Sequence, residues 1–358
     1  MSSIDIILGG IRYFVFKKPY IGLIIKSEHE VLDDPCKRML THPFYGTIHD
    51  HNKKCDILEG SADGPFVYYE SKNIQNYKSI VVLGGSTTDG FYQNYADGKT
   101  WPYLLQKIID KNDLNYRVIN AANGGHSTKQ ETLKLLNDVM NLNEKIDYVI
   151  SFNGLNDLPG YDNTNSFTRS YFPFFGGKLV YILENQKWIV QNKHVQVLPN
   201  ILSLIRYLSG TCDKCGYLNL EKLNINNENL IFSKNKELDA SEIWKKNVEL
   251  MNLISNHIGA KYYVFVQPGL GLIKYDKYLV KNSKDYLLTK KAGKGYQTKI
   301  SDFYQNILVK CSKLDFCIDA TDSILPTDNF YSDVRHPNEK GNKLIADFVY
   351  SRIKLNNE

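Results

Sequence analysis

The chain has 358 residues, 42% of them hydrophobic, and a formal net charge of +5 from 44 basic and 39 acidic side chains. That composition supplies an ample core and about two domains' worth of length, or one large α/β domain. The basic excess is small and the lysines are scattered, which excludes the charge pattern of a nucleic-acid binder.

The amino terminus is apolar at 6–8 and 13–16, but Asp5, Arg12, Lys17 and Lys18 interrupt it. It makes a poor signal peptide and is too short and charged for a spanning helix. Its charge admits a peripheral contact with an anionic membrane surface. Six cysteines show no dense framework, so a reduced, cytoplasmic setting is expected. Cys212 and Cys215 form one C-x-x-C without a second ligand pair nearby, and read as a loop feature.

Residues 27–78 read as irregular, with Pro35, Pro43 and Pro65. We expect 1–78 to be an N-terminal extension packing on a main domain at 79–358. From residue 79 the pattern is regular. An apolar strand at 80–83 stops at Gly84-Gly85 and is followed by Ser86. Helical spacing runs over 101–110, with Thr100 as N-cap and Pro102 in the first turn. A short strand at 117–121, a helix at 129–140 and a third strand at 147–152 follow. Strands alternating with helices predict a parallel sheet covered on both faces. The rhythm breaks at 158–238, which reads as an aromatic-rich insertion after strand three. It resumes with a helix at 241–257 and a strand at 262–266. A Lys- and Tyr-rich loop at 270–295 leads to a helix at 300–311. A short strand at 316–318, a loop at 321–337 and a final helix at 338–353 complete the chain.

The strand ends carry the chemistry. In an open parallel sheet, loops at the carboxyl ends converge on one crevice. The first such loop holds Ser86, the second Gly124, Gly125 and His126, the third Asn153 to Asp157, and the last Asp333 and His336. A serine hydroxyl is a weak nucleophile and needs a base. Asp333 and His336 are three residues apart on one loop, so the carboxylate can orient the imidazole while the other ring nitrogen takes a proton. A developing oxyanion needs donors, and the Ser86 N–H, the Gly125 N–H and the Asn156 amide are of the right types. Each has an ordinary use as well: Ser86 in a turn, His336 at a helix cap, Asn156 in an Asx-turn.

In order and approximate spacing, Gly84-Gly85-Ser86-Thr87-Thr88, the Gly125 loop, Gly154-Leu155-Asn156-Asp157 and Asp333-x-x-His336 resemble the four blocks of the SGNH hydrolase superfamily, the GDSL-like esterases and lipases. The resemblance covers about 79–157 and 315–355 well and the middle loosely. The first block departs from Gly-Asp-Ser-Leu. Ala122 stands where relatives often carry glycine, which leaves Gly124 as an alternative to Gly125. The resemblance implies a flavodoxin-like three-layer α/β/α sandwich with about five parallel strands, and no cofactor or metal. It implies Ser86 as nucleophile, His336 as base and Asp333 as orienting acid, with Ser86, Gly125 and Asn156 as oxyanion hole. Asp157 is expected to orient its loop. The expected activity is hydrolysis of an ester through an acyl-enzyme, on a small-molecule or glycan ester such as a carbohydrate O-acetyl group. The same residues would serve an O-acyltransferase acting on a surface glycan, and the fold would also suit a non-catalytic glycan-binding protein.

Overall fold

The computed structural model describes residues 39–42, 45–49, 56–57, 60–63, 66–69, 71, 77–89, 99–158 and 239–355. The amino-terminal 26 residues, most of the 158–238 insertion and the Cys212/Cys215 pair lie outside them. Two compact units divide the chain. One is Met1–Thr41 with Phe175–Lys236; the other, His42–Phe174 with Glu237–Glu358, holds everything that follows.

The second unit is built on an eight-stranded sheet. Its strands are β1 (Asp56–Ile57), β2 (Gly60–Asp63), β3 (Phe66–Tyr69), β4 (Lys78–Gly84), β5 (Tyr116–Asn120), β6 (Ile146–Asn153), β7 (Lys261–Val266) and β8 (Cys317–Asp319). The order across the sheet is β8-β7-β6-β4-β5-β3-β2-β1. The five strands from β4 to β8 pair in parallel. Among themselves they follow the flavodoxin-like order, with the first strand between the second and third, so the expected sandwich is the one observed. The edge beyond β5 differs from expectation. The segment read as irregular contributes β1, β2 and β3, which continue the sheet antiparallel. These strands are two to four residues long and lie among prolines, too short for an alternating pattern to register.

Among the described residues the helices are α1 (Trp101–Lys111), α2 (Thr128–Asn137), α3 (Ala240–His257), α4 (Lys284–Ala292), α5 (Lys294–Cys311) and α6 (Glu339–Arg352), of which α4 packs on α5. Parallel strands covered on both faces read as continuous apolar runs, which is the sequence of β4. Side chains nevertheless alternate between layers. Val81 and Leu83 join Val149, Val264 and Val266 in one core with Leu135 of α2, Trp244, Val248 and Met251 of α3, and Ile300 and Ile307 of α5. On the opposite face Phe152 meets Trp101 of α1 at 5.1 Å between ring centroids, and Phe265 meets Phe348 of α6 at 6.4 Å. Each fully buried side chain of this size contributes roughly 2 kcal/mol relative to exposure.

Two further expectations are revised. The stretch at 270–295 is not all loop: it forms α4, capped by Ser283 Oγ, which accepts from the Tyr286 N–H. Its helical pattern is weak because lysines occupy most of its outer face. The cysteines are not all reduced, since Cys311 at the end of α5 and Cys317 at the start of β8 form a disulfide. Among the described residues no helix is long and apolar enough to cross a membrane.

Candidate active site

The nucleophile side is assembled where β4 ends. The Gly85 carbonyl accepts from the N–H groups of both Thr88 and Asp89, at 3.0 Å each, which closes a tight turn and presents Ser86 at its tip. Gly85 is required by close approach. A Cβ there would fall 2.2 Å from Asn156 Nδ2 and 3.1 Å from the His126 carbonyl. The amide of Asn156 therefore lies directly against the backbone that carries Ser86.

The second loop is locked to the first. The Asn123 N–H donates to the Gly84 carbonyl at 3.1 Å, and the Gly124 N–H donates to Asp89 Oδ2 at 2.7 Å. Asp89 is fully buried. The Gly124 donor is committed to Asp89, which leaves Gly125 as the candidate of the pair for an oxyanion donor. Gly125 has φ +80°, a left-handed conformation that favours glycine. The third loop joins the second through Asn156 Nδ2, which donates to the His126 carbonyl at 2.8 Å. An amide nitrogen carries two hydrogens, so one remains for a ligand.

Below these loops lies a buried polar layer. Asp157 Oδ1 accepts from the N–H of Thr128 at 3.1 Å and from its hydroxyl at 2.6 Å, tying the third loop to the start of α2. One turn on, Glu131 accepts from the Ser151 hydroxyl and from Asn153 Nδ2, and the Trp244 indole N–H donates to Asn153 Oδ1 at 2.8 Å. Burial raises the Glu131 carboxyl to about 8, against the hydrogen bond from Ser151 and with the Asp157 charge adding to the rise. Burial likewise raises Asp157 to about 6, opposed by its bonds to Thr128. On the other side of the sheet plane, Asn120 Nδ2 donates to the Thr88 carbonyl at 2.7 Å and to the Tyr69 hydroxyl at 2.9 Å. The edge strand β3 thereby supports the Ser86 turn.

The base side arrives from the loop before α6. Ser86 Oγ lies 2.7 Å from His336 Nε2. His336 Nδ1 lies 2.7 Å from Asp333 Oδ2. With the ring proton on Nδ1, facing the carboxylate, Nε2 is the acceptor for the serine hydroxyl. Asp333 Oδ1 also accepts from the N–H groups of Arg335 and His336, at 2.7 and 2.9 Å. Burial pushes the Asp333 carboxyl up, but the ring hydrogen bond and charge of His336 and the two backbone N–H bonds outweigh it and hold the group at about 2. It is thus an anion throughout the neutral range. Its side chain is 53% exposed, whereas that of His336 is 17% exposed.

The sequence reading did not anticipate what holds this loop. Asp285, in the first turn of α4, is fully buried. Its two carboxylate oxygens accept from the N–H groups of Phe330 and Tyr331, at 3.1 Å each. Next to it the Lys284 N–H donates to Asn329 Oδ1 at 2.7 Å, and the Leu270 N–H donates to the Val334 carbonyl at 3.1 Å. An aspartate opening a helix looks like an ordinary acidic first-turn residue, and no spacing rule connects it to residues 45 positions away. A buried carboxyl spent on two backbone donors is visible only in three dimensions.

The structure thus brings together Ser86, Asn156, Asp333 and His336, with the Gly125 loop bonded to the same turn. An acidic anchor, an imidazole, a hydroxyl and convergent N–H donors on an α/β sheet define a class: hydrolases acting on esters. The family profile for GDSL-like Lipase/Acylhydrolase matches residues 80–349, and the chain belongs to that family. No curated protein matches the sequence. Solved structures similar to the chain include a lipase/acylhydrolase from Enterococcus faecalis, 17% identical, covering 78% of this chain and 98% of its own, with a TM-score of 0.38. Another is a member of the lipolytic G-D-S-L family from Veillonella parvula, 11% identical, covering 77% and 100%, with a TM-score of 0.42. A third is the acetyl xylan esterase AlAXEase, 14% identical, covering 77% and 100%, with a TM-score of 0.38.

Proposed function

We propose that Ser86, His336 and Asp333 form a catalytic triad that hydrolyses a small acyl ester through an acyl-enzyme. The observation that carries the reading is the 2.7 Å approach of Ser86 Oγ to His336 Nε2, with Asp333 behind the ring. Ser86 Oγ attacks the ester carbonyl carbon and its proton passes to His336 Nε2. The Asp333 anion stabilises the imidazolium. The negative charge on the former carbonyl oxygen meets the N–H groups of Ser86 and Gly125 and the Asn156 amide. Each such donor is worth about 3 kcal/mol of barrier. The intermediate collapses, the alcohol leaves with the proton from His336, and the acyl group stays on Ser86. Water, deprotonated by His336, then releases the acid and restores the serine.

In this reading the acyl group is acetyl and the alcohol a carbohydrate. The aromatic content of the insertion, with Tyr171, Phe172, Phe174, Phe175 and Trp188, suits stacking on sugar rings and supports that choice. The test is turnover of p-nitrophenyl acetate and of acetylated oligosaccharides by wild type and Ser86→Ala. Wild type should release acetate from both, and the variant from neither. Activity retained by Ser86→Ala removes the assignment of the nucleophile. Acetate transferred to an added sugar in place of release to water would make the enzyme an acyltransferase.

A further inference from the structure

The chain's charge is unevenly placed. Residues 273–299 contain eight lysines, no arginine, no glutamate and two aspartates. This segment alone carries more net positive charge than the +5 of the whole chain. Scattered lysines elsewhere are balanced; these are not. All eight are exposed, while Asp285, one of the two aspartates, is buried. Lys274 pairs with Asp322 at 2.8 Å, and Lys277 and Lys290 sit 4.8 and 5.5 Å from the ring centroids of Tyr278 and Tyr286. Set among these cations are exposed aliphatic side chains: Ile273 at 54%, Val280 at 52% and Leu287 at 56%.

We propose that this surface docks the protein on an anionic lipid bilayer. Lysines on long stems reach head-group phosphates, and each contributes favourably within a Debye length of a negative surface. The aliphatic side chains decide between partners. An acidic polysaccharide would satisfy the lysines but leave Ile273, Val280 and Leu287 in water, whereas a bilayer interface takes both the cations and the apolar side chains. The position is also suited to the site. The segment is stapled to the loop of Asp333 and His336 through Asp285 and the Lys284 N–H, so docking brings that loop toward the lipid. The inference rests on this surface chemistry and not on the ester-hydrolase reading.

The experiment is co-sedimentation of the full chain with phosphatidylcholine vesicles, with and without phosphatidylglycerol. Wild type should bind the mixed vesicles and not the neutral ones, and should weaken as salt rises to about 0.5 M. The combined change Lys277→Gln, Lys281→Gln, Lys291→Gln and Lys294→Gln should lower the partition coefficient by about tenfold or more. The combined change Ile273→Ser, Val280→Ser and Leu287→Ser should abolish the binding that survives at high salt. Both variants should keep the wild-type melting temperature, since the altered side chains are exposed. Equal binding to neutral and mixed vesicles overturns the proposal. So does anionic-vesicle binding unchanged by the lysine variant, which would place the contact elsewhere. Retention on polygalacturonate without vesicle binding would assign the surface to an acidic glycan instead.

Discussion

The two halves of the candidate site are built differently. The Ser86 side is buried and held several times over. Asp89, Asn120, Asn156 and Asp157 each join one strand-end loop to another; the bonds of Asp89 and Asn120 are buried and those of Asn156 and Asp157 half-buried. The His336 side is a loop whose acid is 53% exposed and which is tied to other elements at a few points, among them the Asp285 carboxylate, the Lys284 N–H and the Leu270 N–H. Donors of the kind proposed for the oxyanion must be fixed in advance to act on a developing charge, so rigidity there would serve rate. A base need only reach its proton, and a loop held at a few points suffices. Damage on the nucleophile side should therefore reach both stability and chemistry. Changes to the exposed side chains of the loop itself should fall mainly on chemistry.

The largest effect on rate is expected from the base. His336→Ala should lower kcat/KM for p-nitrophenyl acetate by about 10⁴-fold or more, with little change in melting temperature. Asp333→Ala should be less damaging than His336→Ala, by roughly tenfold to a hundredfold, because an orienting acid costs less to lose than the base it orients. Equal losses for the two would mean that the loop collapses without its carboxylate.

Gly85→Ala tests the nucleophile side. Its Cβ would fall on the Asn156 amide, so the amide must move away from the oxyanion position. The expected loss is about 10²- to 10³-fold in kcat with KM little changed. Overpacking should also cost roughly 1–3 kcal/mol of stability in urea denaturation. An unaltered kcat would remove Asn156 from the oxyanion hole.

Asp285 probes how the loop is held. Asp285→Ala leaves two buried N–H groups without acceptors and should destabilise by about 1–3 kcal/mol per orphaned group at most. Misplacing His336 by an ångström can cost on the order of 10²-fold in rate. Asp285→Asn keeps one acceptor oxygen and should recover part of both losses. A wild-type kcat in Asp285→Ala would show that the loop holds itself.

The smallest effect on rate is expected at the buried Glu131, which acts on stability through pH. Glu131 binds its proton more tightly in the folded protein, at about 8, than at the ordinary value of 4.5. The unfolded chain releases that proton first, so stability is highest below 4.5, falls as pH rises toward 8, and is level beyond. The fall amounts to about 5 kcal/mol as an upper bound, at 1.36 kcal/mol for each unit between 4.5 and about 8. Glu131→Gln should flatten it in urea titrations at pH 5 and pH 8.

Much of this was legible in the sequence, for a physical reason. Strand β4 and the carboxyl-terminal halves of β6 and β7 are buried and read as apolar runs, and Ser86 and Asn156 follow β4 and β6 within three positions, whereas Asp333 and His336 lie on the loop before α6. Ser86 and His336 sit beside a glycine and a proline, and Asn156 two residues after Gly154, so loop signals and chemistry fall together. The features that were missed are those in which the partner is remote. Strands β1 to β3 are defined by pairing with β5 and not by their own periodicity. Asp285 looks like any acid in a first helical turn until its bonds to Phe330 and Tyr331 are seen. The Cys311–Cys317 disulfide follows from a helix end meeting an edge strand, which six cysteines in a list do not disclose. That the Gly124 N–H is spent on Asp89 is likewise a contact between remote positions.

The central claim is that Ser86 is a nucleophile activated by His336. The most direct measurement is labelling of the folded protein with a fluorophosphonate, with the modified residue located by peptide mass spectrometry. The account predicts one adduct, on Ser86 Oγ, formed rapidly by wild type and lost in His336→Ala. A folded protein that forms no adduct, or one modified at another residue while Ser86 stays free, would contradict it.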